Sequence, residues 1–276
     1  MIRICELSPR DGIQVFKRFI PSETKIELIN SLSESGLKEI HVTYFAHPKA
    51  IPQMKDADYV AQKIKRSDDV TYIGFVPNEV GLRRAIHSKL DRISFFISAE
   101  ESINQAFFRK TTNSLLDDFV TLTREAKLEG IDAEVFIVRA IEKENWGLAC
   151  SIAEKLIKAG TSIVYFSNFG APINTEDMKD FFKNLGSYIT SVDIGIHIYA
   201  PDDSIENIII HALNCDIKRF ATSIGGLGLR RIDGNLVMLP PTELVANLAG
   251  IKGLKLDRPM RIVKKIKELV EEIGTL

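Results

Sequence analysis

Eight short runs rich in β-branched and aromatic residues recur along the chain, separated by longer stretches whose apolar positions fall three to four residues apart. The runs cover residues 2–7, 39–44, 70–76, 92–98, 133–138, 162–166, 193–199 and 219–224. Amphipathic stretches lie between them, among them 22–35, 113–129, 146–159 and 175–185. Such alternation builds a parallel sheet, because parallel neighbours need a long crossover and a helix supplies it. Eight units in about 250 residues match a (β/α)8 TIM barrel of the α/β class, with a doubly wound open sheet as the main competitor. No Pro/Gly/Ser-rich linker breaks the alternation, so residues 1–276 read as one barrel domain with a C-terminal helix over 259–273.

Composition narrows the partners. Lys and Arg number 36 against 37 Asp and Glu, spread along helices with no basic stripe, which argues against nucleic acid. The sequence opens on a strand-like run without a basic segment ahead of an apolar one. No stretch approaches the ~18 apolar residues needed to cross a bilayer. A soluble, cytoplasmic protein that does not enter a membrane is expected. Three widely spaced cysteines, Cys5, Cys150 and Cys215, offer neither a disulfide framework nor a CxxC metal site, and each reads as a structural thiol.

In a barrel of this kind chemistry collects at the C-terminal ends of the strands. The stretch ELSPRDGIQVFK places Arg10 and Asp11 just after the first run, where a carboxylate can bind a hard cation and a guanidinium can hold a substrate oxygen. A plain loop ion pair, with Gly12 making the turn, fits the same residues. His197 alternates with Tyr199 near the end of the seventh run, so both side chains face one side of that strand. A satisfied core histidine is the competing reading there. Asp11 and His197 on separate strand ends are metal candidates.

Several strings, in order, resemble those of the 3-hydroxy-3-methylglutaryl-CoA lyases, within the metal-dependent barrels that also include the isopropylmalate, homocitrate and citramalate synthases. They are ELSPRDGIQ, FAHPKAIPQMKD, VPNEVG, RKTTNSLLDDF and GGLGLRRIDGNLVMLPPTELV. The resemblance implies a TIM barrel and a carbon–carbon lyase or aldolase that cleaves a small hydroxy acid or its acyl-CoA thioester. A divalent cation (Mg, Mn or Zn) would chelate and acidify the hydroxyl, an arginine would stabilise the enolate, and a cysteine would protonate it. Carried over, Arg10 would be the enolate-stabilising arginine, and Asp11 and His197 would be metal ligands. Alternatives that stay open are a Claisen-type condensing enzyme and a barrel that lost catalysis and binds or regulates. The expected partners are a small anionic or acyl-CoA substrate and further copies of the chain in a homo-oligomer.

The remaining positions depart from the family pattern. Its strand-two glutamate is His41, the second histidine of its H-x-H is Tyr199, and the aspartate after it is Ala200. Without gaps the catalytic cysteine falls at Arg230 and the ligand asparagine at Leu239; an insertion would bring Asn235 to the asparagine's place. The expected site is therefore a rebuilt one. Arg10, Tyr199 and Arg230 are its catalytic candidates. Gln14, His41, Arg139 and Asn168 are its substrate-binding candidates, and Asp11, His197 and His41 its metal candidates; His47 reads first as an exposed loop residue, with anion binding as the alternative.

Overall fold

The structure is a computed structural model and describes residues 1–185, 192–232 and 234–271; positions 272–273 of the expected terminal helix lie outside the described residues. Eight parallel strands close into a barrel in chain order: β1 (Arg3–Glu6), β2 (Glu39–Tyr44), β3 (Thr71–Phe75), β4 (Arg92–Ser98), β5 (Asp132–Val138), β6 (Ile163–Ser167), β7 (Asp193–His197) and β8 (Arg219–Thr222). Closure comes from β1 against β8, with Cys5 opposite Ala221 and Glu6 opposite Thr222. The TIM barrel expected from the alternation is thus borne out, and the open sheet is excluded.

Helices α1 (Ser22–Ser33), α2 (Ala57–Lys63), α3 (Glu79–His87), α4 (Glu101–Phe108), α5 (Thr112–Leu128), α6 (Trp146–Ala159), α7 (Thr175–Leu185), α8 (Asp202–Asn214), α9 (Thr242–Leu248) and α10 (Asp257–Glu271) follow the strands. An antiparallel hairpin of β9 (Arg230–Ile232) and β10 (Asn235–Val237) interrupts the path from β8 to α9. The local reasons are ordinary ones. Asn78 caps α3 by accepting the Gly81 N–H at 3.0 Å, and α5 buries Leu115, Phe119, Leu122 and Ala126 at helical spacing. No helix among the described residues is long and apolar enough to cross a membrane.

Each strand is buried on both faces, which is why it reads as an apolar run and not as an alternation. Outward residues such as Ile40, Ile93, Val135 and Ile137 pack under the helices, while Cys5, Ile73, Phe136 and Tyr165 fill the barrel. Gly195 on β7 makes room for this filling, since a Cβ there would come within 2.6 Å of the Tyr165 ring.

The N-terminal end of the barrel is plugged by charge. Arg219 is hydrogen-bonded to Glu39 and reaches Asp193 at 2.7 Å, while Arg92 reaches Asp132 at 3.0 Å, Glu134 at 3.4 Å and Glu39 at 3.7 Å. One layer higher, His41 Nε2 and Glu134 Oε1 are 2.7 Å apart, both wholly buried. Cys5 completes a group whose ligand-type atoms lie within 4.8 Å of one another, in the barrel interior.

Candidate active site

The first βα connection is built to aim two side chains. After Glu6 the backbone makes one π-helical turn, Ser8–Gly12, in which the Leu7 carbonyl accepts the N–H groups of Arg10 at 3.0 Å and Asp11 at 2.7 Å. Glu6 fixes this turn to the loop after β8. Its carboxylate accepts the Ser8 N–H at 2.8 Å, the Ile224 N–H at 3.2 Å and the Thr242 hydroxyl. Gly12 is needed because a Cβ there would stand 3.0 Å from the Leu227 carbonyl oxygen. Nothing in the run 2–7 flags Glu6, two of whose three partners, Ile224 and Thr242, lie more than 200 residues away.

The turn delivers Arg10 and Asp11 to the floor of a cavity of about 690 Å³ at the C-terminal mouth, together with Gln14, His197, Tyr199 and Arg230. Asp11 is the hub. Its Oδ1 accepts from Arg10 at 2.9 Å and Gln14 at 2.7 Å, and its Oδ2 accepts from the Tyr199 hydroxyl at 2.5 Å and Arg230 at 2.6 Å. Burial would push its carboxyl up, but Arg230 and Arg10 outweigh that and hold it well below the usual carboxylate range. Burial pushes the Tyr199 phenol far up, so it stays a donor. Arg230 also lies over the Tyr199 ring, 4.8 Å from its centroid.

His197 hangs from the end of β7, with Nδ1 3.0 Å from the Ser167 hydroxyl and Nε2 buried without a hydrogen-bond partner among the described residues. Burial drives this imidazole down to about 3; Asp11 pulls against the shift, and Arg10 and Arg230 add to it. A sign follows. An unfolded histidine takes a proton near pH 6.5 while folded His197 does not, so the stability it contributes is full above pH 6.5 and lost as the pH falls toward about 3. His41, lowered by burial, acts in the same sense; Glu6, raised by burial, acts in the opposite one above its unfolded value. The urea midpoint of the wild type is expected to fall between pH 7 and pH 4, and that of His197→Gln to fall less. Equal slopes for the two proteins would contradict this account.

Aromatic side chains wall the cavity above this polar floor, including Phe75, Phe96, Phe107, Phe136 and Phe169. Phe75 also carries the Arg10 guanidinium 4.6 Å above its ring. His47, from the loop after β2, lines the same cavity.

Three expected substrate contacts sit elsewhere. His41 is the third residue of β2, not its last, so it lies beneath Phe136 (ring centroids 5.8 Å apart) on Glu134 and outside the cavity lining. Arg139 has φ +56° and turns to Glu142 at 2.8 Å and Glu100 at 3.2 Å. Asn168 clamps backbone: its amide donates to the carbonyls of Ala171 and Tyr199, each at 2.7 Å, and accepts the Tyr199 N–H at 2.9 Å.

A divalent cation on Asp11 and His197 does not fit this donor set. Both Asp11 oxygens already hold donors, two of them guanidinium cations, and a divalent ion about 4 Å from one guanidinium would cost about 8 kcal/mol at an effective dielectric constant of about 20. The rest of the shell is missing as well. Tyr199 presents a donating phenol, Leu239 is a buried hydrocarbon, and Asn235 is exposed on the hairpin, outside the cavity. Among the described residues, the one group of three or more His, Cys, Asp or Glu side chains close enough to share an ion is Cys5, His41 and Glu134, below the floor.

Comparison with known proteins bears on this geometry. The hydroxymethylglutaryl-CoA lyase YngG of Bacillus subtilis is 29% identical over 232 residues, covering 82% of this chain and 78% of the relative. The cytoplasmic 3-hydroxy-3-methylglutaryl-CoA lyase of Danio rerio is 30% identical over 236 residues, covering 82% and 69%. The crystal structure of the Bacillus subtilis HMG-CoA lyase superposes with a TM-score of 0.90 at 26% identity, over 98% of this chain and 94% of that one. Residues 1–268 match the HMGL-like family throughout, and the chain belongs to that family.

Proposed function

We propose that this chain is a carbon–carbon lyase that cleaves a small hydroxy acid or its acyl-CoA thioester by a retro-aldol or retro-Claisen route. The observation that carries the reading is one buried floor where the Arg10 and Arg230 guanidiniums flank an unpartnered imidazole nitrogen of His197. The relatives are named as lyases of 3-hydroxy-3-methylglutaryl-CoA, which favours cleavage over the condensing and binding-only alternatives.

In the tautomer that donates Nδ1–H to Ser167, His197 Nε2 carries a lone pair, and with the negative charge of a bound anionic substrate offsetting the burial and the guanidiniums that lower its basicity, it takes the proton of the substrate hydroxyl. The hydroxyl oxygen becomes a carbonyl, and the electron pair of the broken C–C bond moves to the enolate of the leaving fragment. Arg10 meets that enolate oxygen, and the proton on His197 passes to the enolate carbon. Arg230 stands where the family has its cysteine and cannot act as the acid, because a guanidinium does not give up its proton. Tyr199 has its proton committed to Asp11. Mg, Mn or Zn, the cations implied by the family resemblance, have possible ligands among the described residues in Cys5, His41 and Glu134, and no proposed step passes through them. The aromatic walls suit an acyl chain. A second cavity of about 1010 Å³ shares Arg230 and is edged by Lys17, Arg231 and Lys267, which suits the phosphates of an acyl carrier.

The test is product analysis after incubation with 3-hydroxy-3-methylglutaryl-CoA, other 3-hydroxyacyl-CoA thioesters and the free acids. Cleavage to a carbonyl product and an acyl fragment is expected. The 3-hydroxy-3-methylglutaryl thioester should turn over about 10²- to 10⁴-fold more slowly than with the Bacillus subtilis relative, since a positioned acid is gone. Turnover at the relative's rate would show another donor in the thiol's place, and no cleavage of any compound would end the lyase reading.

A further inference from the structure

We infer that Arg230 replaces the divalent cation of this site: its guanidinium, locked on Asp11, is the fixed positive charge that meets a carboxylate or alkoxide oxygen of the substrate, and Asp11 takes no metal. The identity of the substrate rests on the lyase reading, whereas the occupancy of Asp11 stands on geometry alone.

The seat of Arg230 is built, not incidental. The β9–β10 hairpin that carries it is tied to the end of the β7 connection by Ala200 and Met238, whose N–H groups donate to each other's carbonyls at 3.1 and 3.0 Å. Its guanidinium donates to three oxygens at once, the Gly228 carbonyl at 3.2 Å, the Asp11 carbonyl at 2.8 Å and Asp11 Oδ2 at 2.6 Å. The approach depends on Gly228, which has φ +91° and whose absent Cβ would lie 2.6 Å from the Gly12 Cα. Only a glycine lets the loop bearing Arg230 lie on the first turn.

The carboxylate is saturated in consequence. Two charged donors and two neutral ones fill its four lone-pair directions, so a cation could bind only by displacing them. Arg10 and Arg230 both line the cavity, and a two-oxygen anion entering it meets two guanidinium charges.

Titration with Mn²⁺ followed by electron paramagnetic resonance tests this on the wild type, Asp11→Ala, Asp11→Asn and Arg230→Ala. The wild type and the Asp11 variants are expected to bind Mn²⁺ equally, whether weakly or at some other site. Arg230→Ala, which removes one positive charge and frees one lone-pair direction of Asp11 Oδ2, should gain about tenfold or more in affinity. Mn²⁺ held by the wild type and lost in Asp11→Asn would overturn the inference, and so would an Arg230→Ala protein that gains nothing. Cleavage that requires Mn²⁺ bound at Asp11 would sink the inference and leave the lyase reading standing. Absence of all cleavage with these metal results would sink the lyase reading and leave the occupancy of Asp11 as inferred.

Discussion

The His197→Gln protein is expected to lose about 10²- to 10⁴-fold in kcat on its best hydroxyacyl substrate, with KM changed only a few-fold. The split follows from the floor of the cavity. Arg10 and Arg230 bind the anionic oxygens and are untouched by the change, whereas the imidazole nitrogen that takes the hydroxyl proton is removed. Glutamine keeps a polar side chain of similar reach between Phe136 and Tyr199, whose rings lie 4.8 and 4.9 Å from the imidazole, so packing is largely preserved. Arg10→Lys gives a different signature. It keeps the charge but loses the fork that holds Asp11 and the enolate, so kcat and kcat/KM fall together. Steady-state rates of the two variants check both statements. A His197→Gln enzyme within threefold of wild type would remove His197 from the chemistry.

Much of this arrangement is legible in the sequence because the barrel imposes a strong pattern. Strands buried on both faces read as apolar runs, and the helices between them read as amphipathic, so the eight-fold alternation survives any single irregularity. Arg10, Asp11, His197, Tyr199 and Arg230 could be singled out because each follows a run or sits in a family string, and the fold brings all five to one floor. Their bonding could not be read. Asp11 and Arg230 are 219 residues apart, and nothing local says that a guanidinium will settle on that carboxylate.

His41 shows where position within a strand misleads. The β2–β3 pairing jumps between His41 and Thr43, and the rim side chains come from Tyr44 and the loop beyond it, so His41 stays one layer down. Arg139 and Asn168 both follow strand ends, but a left-handed backbone turns the first toward Glu142 and Glu100, and backbone contacts use the amide of the second. Glu39, Arg92 and Arg219 were hidden for a related reason. A charge at the first residue of an apolar run reads as its boundary, whereas here it is the side chain that closes the barrel from below.

Arg219→Ala tests that closure and is expected to cost about 3 kcal/mol, within the roughly 3 to 5 kcal/mol that follows loss of one partner of a buried pair. The Arg219 and Glu39 side chains are 3% and 5% exposed, so the glutamate left behind would keep its charge in a place water barely reaches. Arg92, 3.7 Å from Glu39, supplies part of the lost attraction and sets the estimate at the lower end. Asp193 also loses Arg219, but its side chain is 58% exposed and water replaces the contact at small cost. Replacing both partners, Arg219→Met with Glu39→Leu, removes the uncompensated charge and should recover most of the loss, since an apolar pair of similar volume is commonly as stable as a buried ion pair. Urea unfolding of the three proteins decides the matter. A single variant less stable than wild type by under about 1 kcal/mol would mean that the charge plug is solvated or rearranged and that the apolar layers above it hold the barrel closed unaided.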